Sequence, residues 1–199
     1  MREIVSDIFM WSRFSAPHSY NFNGYWVRDP SGNLCIDPVE PDMKILEELV
    51  ASGITRIVIT NRNHARAANL VKARTGARTT IHTEDAAYAN AQGAELDDRL
   101  VSGAHVGPFT VIGVPGKSPG EIALHWPARR LLVVGDAVIG NPPGRCSMLP
   151  NRVIDNPEQA RDSIRHLLDL DFVTLLVGDG DPILSDARDR LRELVDTFG

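Results

Sequence analysis

The 199 residues suffice for one domain with a sizeable core, and 43% hydrophobic with 24% charged is the balance of an ordinary globular chain. A formal net charge of −5 and the lack of any basic stripe argue against a nucleic-acid partner. Apolar runs such as 131–134 and 173–177 are far too short to span a bilayer, and Glu3 and Asp7 interrupt the N-terminal stretch where a signal peptide would be apolar.

Short extended segments open the chain at 4–11, 20–28 and 33–36, with Asp29-Pro30-Ser31-Gly32 as the turn between the last two. Pro41 marks a helix start, Leu46, Leu49 and Val50 follow at helical spacing, and Gly53 is a stop. The β-branched run 56–60 reads as a buried strand and 64–73 as a helix. A short strand at 79–82 precedes an alanine-rich helix capped by Thr83 with Asp85. After a strand at 109–114 and the loop 115–120, the segments 121–125 and 130–134 read as an antiparallel pair turning at Pro127-Ala128. The tail alternates helix (Ala160, Ile164, Leu167, Leu168), strand (173–177) and a helix with the stripe Leu184, Ala187, Leu191, Leu194, Val195, Phe198. This pattern fits packed sheets covered by helices in a single domain over 1–199. Cys35 and Cys146 have no metal-ligand spacing, and the chain reads as cytoplasmic with reduced thiols.

Four stretches carry a resemblance. They are Cys35-Ile36-Asp37-Pro38; the strand-loop 57–66; Val114-Pro115-Gly116-Lys117-Ser118-Pro119-Gly120 followed by Gly135-Asp136-Ala137; and Gly178-Asp179-Gly180-Asp181-Pro182. In this order the chain resembles the metallo-β-lactamase superfamily, which implies an α+β fold, a four-layer αββα sandwich with its site at one edge between the sheets. The family's first metal motif is His-x-His-x-Asp-His; the aligned residues are Asn61, Asn63, Ala65 and Arg66. The next ligand position holds Lys117, the bridging aspartate is Asp136, and the final histidine is replaced by Asp179. Asparagine is a weak neutral ligand for zinc, arginine stays protonated, and a lysine amine binds a metal only after losing its proton.

The resemblance therefore predicts a cleft lined by Asn61, Asn63, Arg66, Lys117, Asp136 and Asp179, where fixed cations compensate carboxylates with no metal present. His64 falls between two ligand positions and reads as a packing or helix-start residue, while Asn61 or Asn63 caps the following helix. His18, His64, Arg145 and Cys146 are candidates for the cleft rim, with Arg145 an anion contact beside Arg66 and Lys117 and a lowered thiol pKa expected for Cys146.

Three functions stay open. The leading one is metal-independent binding of a small polar or anionic molecule, with no cofactor. The second is hydrolysis of an ester, thioester, lactone or phosphodiester with one divalent metal on Asp136, Asp179 and His64. The third is a non-catalytic scaffold or dimerisation module. No catalytic residue, membrane partner or oligomeric state is assigned, and a homo-oligomer remains open.

Overall fold

The computed structural model describes residues 1–199. Its first sheet has seven strands in sequential order: β1 (Arg2–Val5), β2 (Ile8–Ser15), β3 (Tyr20–Val27), β4 (Asn33–Ile36), β5 (Ile54–Ile59), β6 (Arg78–His82) and β7 (Asp98–Leu100). β1 to β4 pair antiparallel, and β4 to β7 pair parallel. The parallel half needs crossovers, supplied by α1 (Met43–Ala51) and α2 (Ala68–Thr75), with α3 (Thr83–Ala91) before β7. The second sheet contains β8 (His105–Val106), β9 (Phe109–Gly113), β10 (Ile122–Trp126), β11 (Leu131–Val134) and β12 (Thr174–Val177), in the order β12-β11-β10-β9-β8. α4 (Pro157–Leu167) and α5 (Ala187–Val195) complete the chain.

Three apolar cores define four layers. Ile8, Tyr25, Ile36 and Val58 of the first sheet meet Phe109, Val111, Leu124, Val133 and Leu176 of the second. Ile57, Ile59 and Ile81 point the other way, onto Leu49, Val71 and Ala89 of the first helical layer. Leu132, Val134, Leu175 and Val177 pack on Ile164, Leu167 and Leu191 of the second. Both faces of β11, of β12 and of β5 over 57–59 are thus buried, which is why 57–59, 131–134 and 175–177 read as apolar runs instead of alternating ones. The fold is the expected αββα sandwich.

Local departures have identifiable causes. The first extended segment breaks at Asp7, which takes a left-handed φ of 61° and turns the chain back as the β1–β2 hairpin. The helix expected at 64–73 starts only at Ala68, because residues 61–67 form turns fastened by His64 N–H to Asn61 O and Ala67 N–H to Pro38 O, each 3.0 Å. Its N-cap is Ala67, so neither Asn61 nor Asn63 caps it. α3 is capped by His82, whose Nδ1 accepts from Glu84 N–H, and not by Thr83. Asp85 is instead buried: its carboxylate accepts from Arg62 N–H, Ser118 Oγ–H and Gly120 N–H at 2.6–2.8 Å. It clamps together the two loops that carry Asn63 and Lys117.

Candidate functional site

The strand ends of both sheets meet at one edge. β4 ends in Asp37, β5 runs through Thr60 into the 61–67 turns, β11 leads into Asp136 and β12 into Asp179. Asp37 Oδ1 accepts from Thr60 N–H at 2.8 Å, and its Oδ2 accepts from Thr60 Oγ–H at 2.5 Å and faces His64 Nδ1 at 2.8 Å. The imidazole is thereby turned inward. Its Nε2 lies 3.1 Å from Asp136 Oδ1, so a residue expected to pack or start a helix sits at the centre of the cluster.

Around it the charges are paired. Lys117 Nζ donates to Asp136 Oδ2 at 2.9 Å and to Asn63 Oδ1 at 2.5 Å. Arg66 donates through one nitrogen to Asp179 Oδ1 at 2.9 Å, and its guanidinium lies 4.5 Å above the Phe22 ring. Arg66 is held at φ 27°, a conformation costly for a non-glycine residue, by these contacts. Lys117, Asp136 and Asp179 are each at most 8% exposed in their side chains. Beneath them Glu121 Oε1 accepts from Asp136 N–H at 2.7 Å and from Ala137 N–H and Asn61 Nδ2 at 3.3 Å, so Asn61 serves the layer under the cleft.

Burial is the strongest influence on the His64 pKa and lowers it, as does Arg66; Asp136 and Asp37 together outweigh both and raise it to about 10. Arg66 also approaches Nε2 at 2.7 Å, a contact that by itself favours the neutral ring, but two flanking carboxylates favour the imidazolium more. Burial alone would raise the Asp136 pKa; His64 and Lys117 reverse that and hold the carboxyl far below the usual range. Burial and repulsion from Asp136 push Glu121 up to about 8 and raise Asp179.

The pH dependence follows. The folded His64 pKa near 10 exceeds the ordinary 6.5, so its stabilisation is complete below pH 6.5 and lost as pH rises through 10. Glu121, raised from 4.5 to about 8, also makes stability fall with rising pH, over 4.5–8. The urea midpoint of the wild-type protein is expected to decline from pH 6.5 to 10, and His64→Gln to flatten the part above pH 8. An unchanged slope in that variant would contradict the imidazolium assignment.

Gly135 is fixed by close approach. A Cβ there would overlap the Thr60 hydroxyl and come within 2.6 Å of Glu121 Oε1 and 2.9 Å of Asn61 Nδ2. Gly135→Ala is expected to cost about 1–3 kcal/mol in denaturant unfolding, the usual range for overpacking.

Above the cluster opens a cavity of about 760 Å³. Arg66, Lys117, Asp136 and Asp179 line it together with His64 and Asn63, while Tyr20 and Phe22 form one wall and Met148 and Leu149 another. His18 is exposed at the rim, its ring 5.7 Å from that of Tyr20. Arg145 is exposed but lies off the cavity wall, since the chain reaches the cleft at Asn141 and again at Ser147. Cys146 is buried in the core against α4 and α5, and burial drives its thiol up to about 12, the reverse of the lowered pKa expected beside Arg145. Arg152, also on the rim, was not singled out by any motif.

His64, Asp136 and Asp179 do place ligand atoms within 4.8 Å of one another. The set does not fit the family's metal centre. Asp136 Oδ2 already faces Lys117, and Asp179 Oδ1 and His64 Nε2 already face Arg66. A divalent cation would sit among nitrogens that cannot ligate it while protonated.

The chain matches the family model described as metallo-beta-lactamase superfamily over residues 2–198. No curated protein sequence matches significantly. Among solved structures, a metallo-beta-lactamase from Pontibacter korlensis is similar with TM-score 0.79 and 14% identity, covering 98% of this chain and 96% of that one. A metallo-beta-lactamase family protein from Thermus thermophilus gives 0.72 and 17% over 98% of this chain and 80% of its own. TTHA1623, solved in a di-iron-bound form, gives 0.67 and 21% over 87% of this chain and 94% of its own. At such identities the structures speak for the fold alone, but the family model spans almost every residue, and the chain belongs to the metallo-beta-lactamase superfamily.

Proposed function

We propose that this protein is a metal-independent member of the superfamily that binds a small polar or anionic molecule in the cleft. One observation carries the reading: Lys117–Asp136 and Arg66–Asp179, each at 2.9 Å, neutralise the carboxylates directly beneath an open cavity. Buried carboxylates without a compensating charge would be prohibitively costly, and here side-chain cations supply what metal ions would otherwise supply. A cavity of about 760 Å³ with polar floor and apolar walls favours a binder over a pure scaffold, which would fill the space with side chains. No helix is long and apolar enough to cross a membrane, and two free buried thiols support a reducing, cytoplasmic setting.

The convergence of His64, Asp136 and Asp179 favours a second reading, a hydrolase with one divalent ion, but only if Lys117 and Arg66 withdraw from those atoms. An NMR fragment screen separates the two. With EDTA present throughout, the expected shifts cluster at Tyr20, Ile139 and Met148 on the cleft wall. Binding seen only after a divalent ion is added would replace the metal-independent reading by the hydrolase.

A further inference from the structure

Within the cleft the cations are not equivalent. Arg66 and Lys117 are committed to Asp179 and Asp136 on the floor. The Arg66 nitrogen that has no partner, Nη1, is buried, and an acid group on that floor would meet two carboxylates at close range. Arg152 differs: it lies in the short 3-10 turn Asn151–Val153 at the rim, is exposed, and lines the cavity while its guanidinium forms no ion pair or hydrogen bond with the protein. A guanidinium without an internal partner beside a cavity with apolar walls is a site for a carboxylate or phosphate oxygen pair. Between this rim and the floor, Tyr20 and Phe22 face Met148, Leu149 and Val153.

We infer that the cleft takes an amphipathic organic anion, with its acid group on Arg152 at the rim and its apolar body lying between the Tyr20–Phe22 strand and the Met148–Leu149 segment. The inference rests on the reading of the cleft as a ligand site and adds the ligand's chemical class and orientation. His18 lines the aromatic side of the mouth, its ring 5.7 Å from that of Tyr20 and 5.4 Å from that of Phe22. Arg152 contributes nothing to the internal network, so its removal should leave folding intact.

The test uses two probes with the same phenyl group and four-carbon chain, 4-phenylbutyrate and 4-phenylbutan-1-ol, titrated calorimetrically into the full chain in EDTA. The wild-type protein should bind the acid about threefold to fivefold more tightly than the alcohol, the worth of one solvent-exposed ion pair. Arg152→Ala should abolish that preference, so that acid and alcohol bind equally, and leave the thermal midpoint where it was. Equal binding of acid and alcohol by the wild-type protein, or a preference that survives Arg152→Ala, would overturn the anion assignment while keeping the cleft as a binding site. Binding of neither probe would overturn both.

Discussion

Replacing Asp136 by asparagine is expected to lower the unfolding free energy by about 3–5 kcal/mol, the range for breaking a buried ion pair from one side. The carboxylate faces His64 Nε2 at 3.1 Å and Lys117 Nζ at 2.9 Å, and its own side chain is 7% exposed. An amide keeps the shape and removes the charge, so both cations lose their principal counterion. Nearby compensation is limited: Asp37 still faces Nδ1 of the imidazole, but the Lys117 ammonium keeps only the Asn63 amide oxygen. The double variant Asp136→Asn with Lys117→Met should recover part of the loss, because it removes the stranded charge as well. A urea midpoint for Asp136→Asn equal to that of wild type would mean that no buried network exists.

The second large effect concerns conversion of the site. Lys117→His combined with Arg66→His removes two permanent cations and adds two imidazoles beside His64, Asp136 and Asp179. Without metal the variant should be less stable than wild type by several kcal/mol, since two ion pairs with buried carboxylates are broken at once. Zinc should then bind, because neutral imidazole and carboxylate are its preferred ligands, and should return about 2.7 kcal/mol at a concentration one hundred times its dissociation constant. Asn61 and Asn63 leave the set incomplete, so the recovery stays partial. Equal thermal responses of variant and wild type to zinc would show that the side chains at 66 and 117 do not govern metal binding.

The sequence was informative where burial imposes a pattern. The runs 57–59, 131–134 and 175–177 are apolar because their strands are covered on both faces there, and the resemblance ordered them into an αββα sandwich. It also named Arg66, Lys117, Asp136 and Asp179, which the structure holds in two ion pairs, Lys117–Asp136 and Arg66–Asp179. Asp37 is legible as the aspartate at a strand end and Asp85 as a helix-start residue, but the buried bonds these two and Glu121 make, to residues 15 to 35 positions away, have no spacing signature. The available hint was a lone acid adjoining an apolar strand, Asp37 after Ile36 and Glu121 before Ile122. His64 is legible as a cleft residue and as a partner of Asp136 and Asp179, but the packing or helix-start role expected for it gives way to a central one, because the motif counts it as a spacer. With Ala65 where the family has an aspartate, there is no carboxylate at that position, and the loop instead turns the histidine onto Asp37. The resemblance puts the loop of Arg145 and Cys146 at the rim, yet the loop runs so that Arg145 is exposed off the cavity wall and Cys146 fills the helical core.

A cleft whose carboxylates are neutralised by Lys117 and Arg66 should hold no stoichiometric metal ion, and metal content tests this most directly. The protein, expressed in medium supplemented with zinc, iron and manganese and purified without chelator, should carry far less than one ion per chain by inductively coupled plasma mass spectrometry. Its thermal midpoint should not move on adding EDTA or zinc. About one or two ions per chain, removable by EDTA with a fall in the midpoint, would contradict the account.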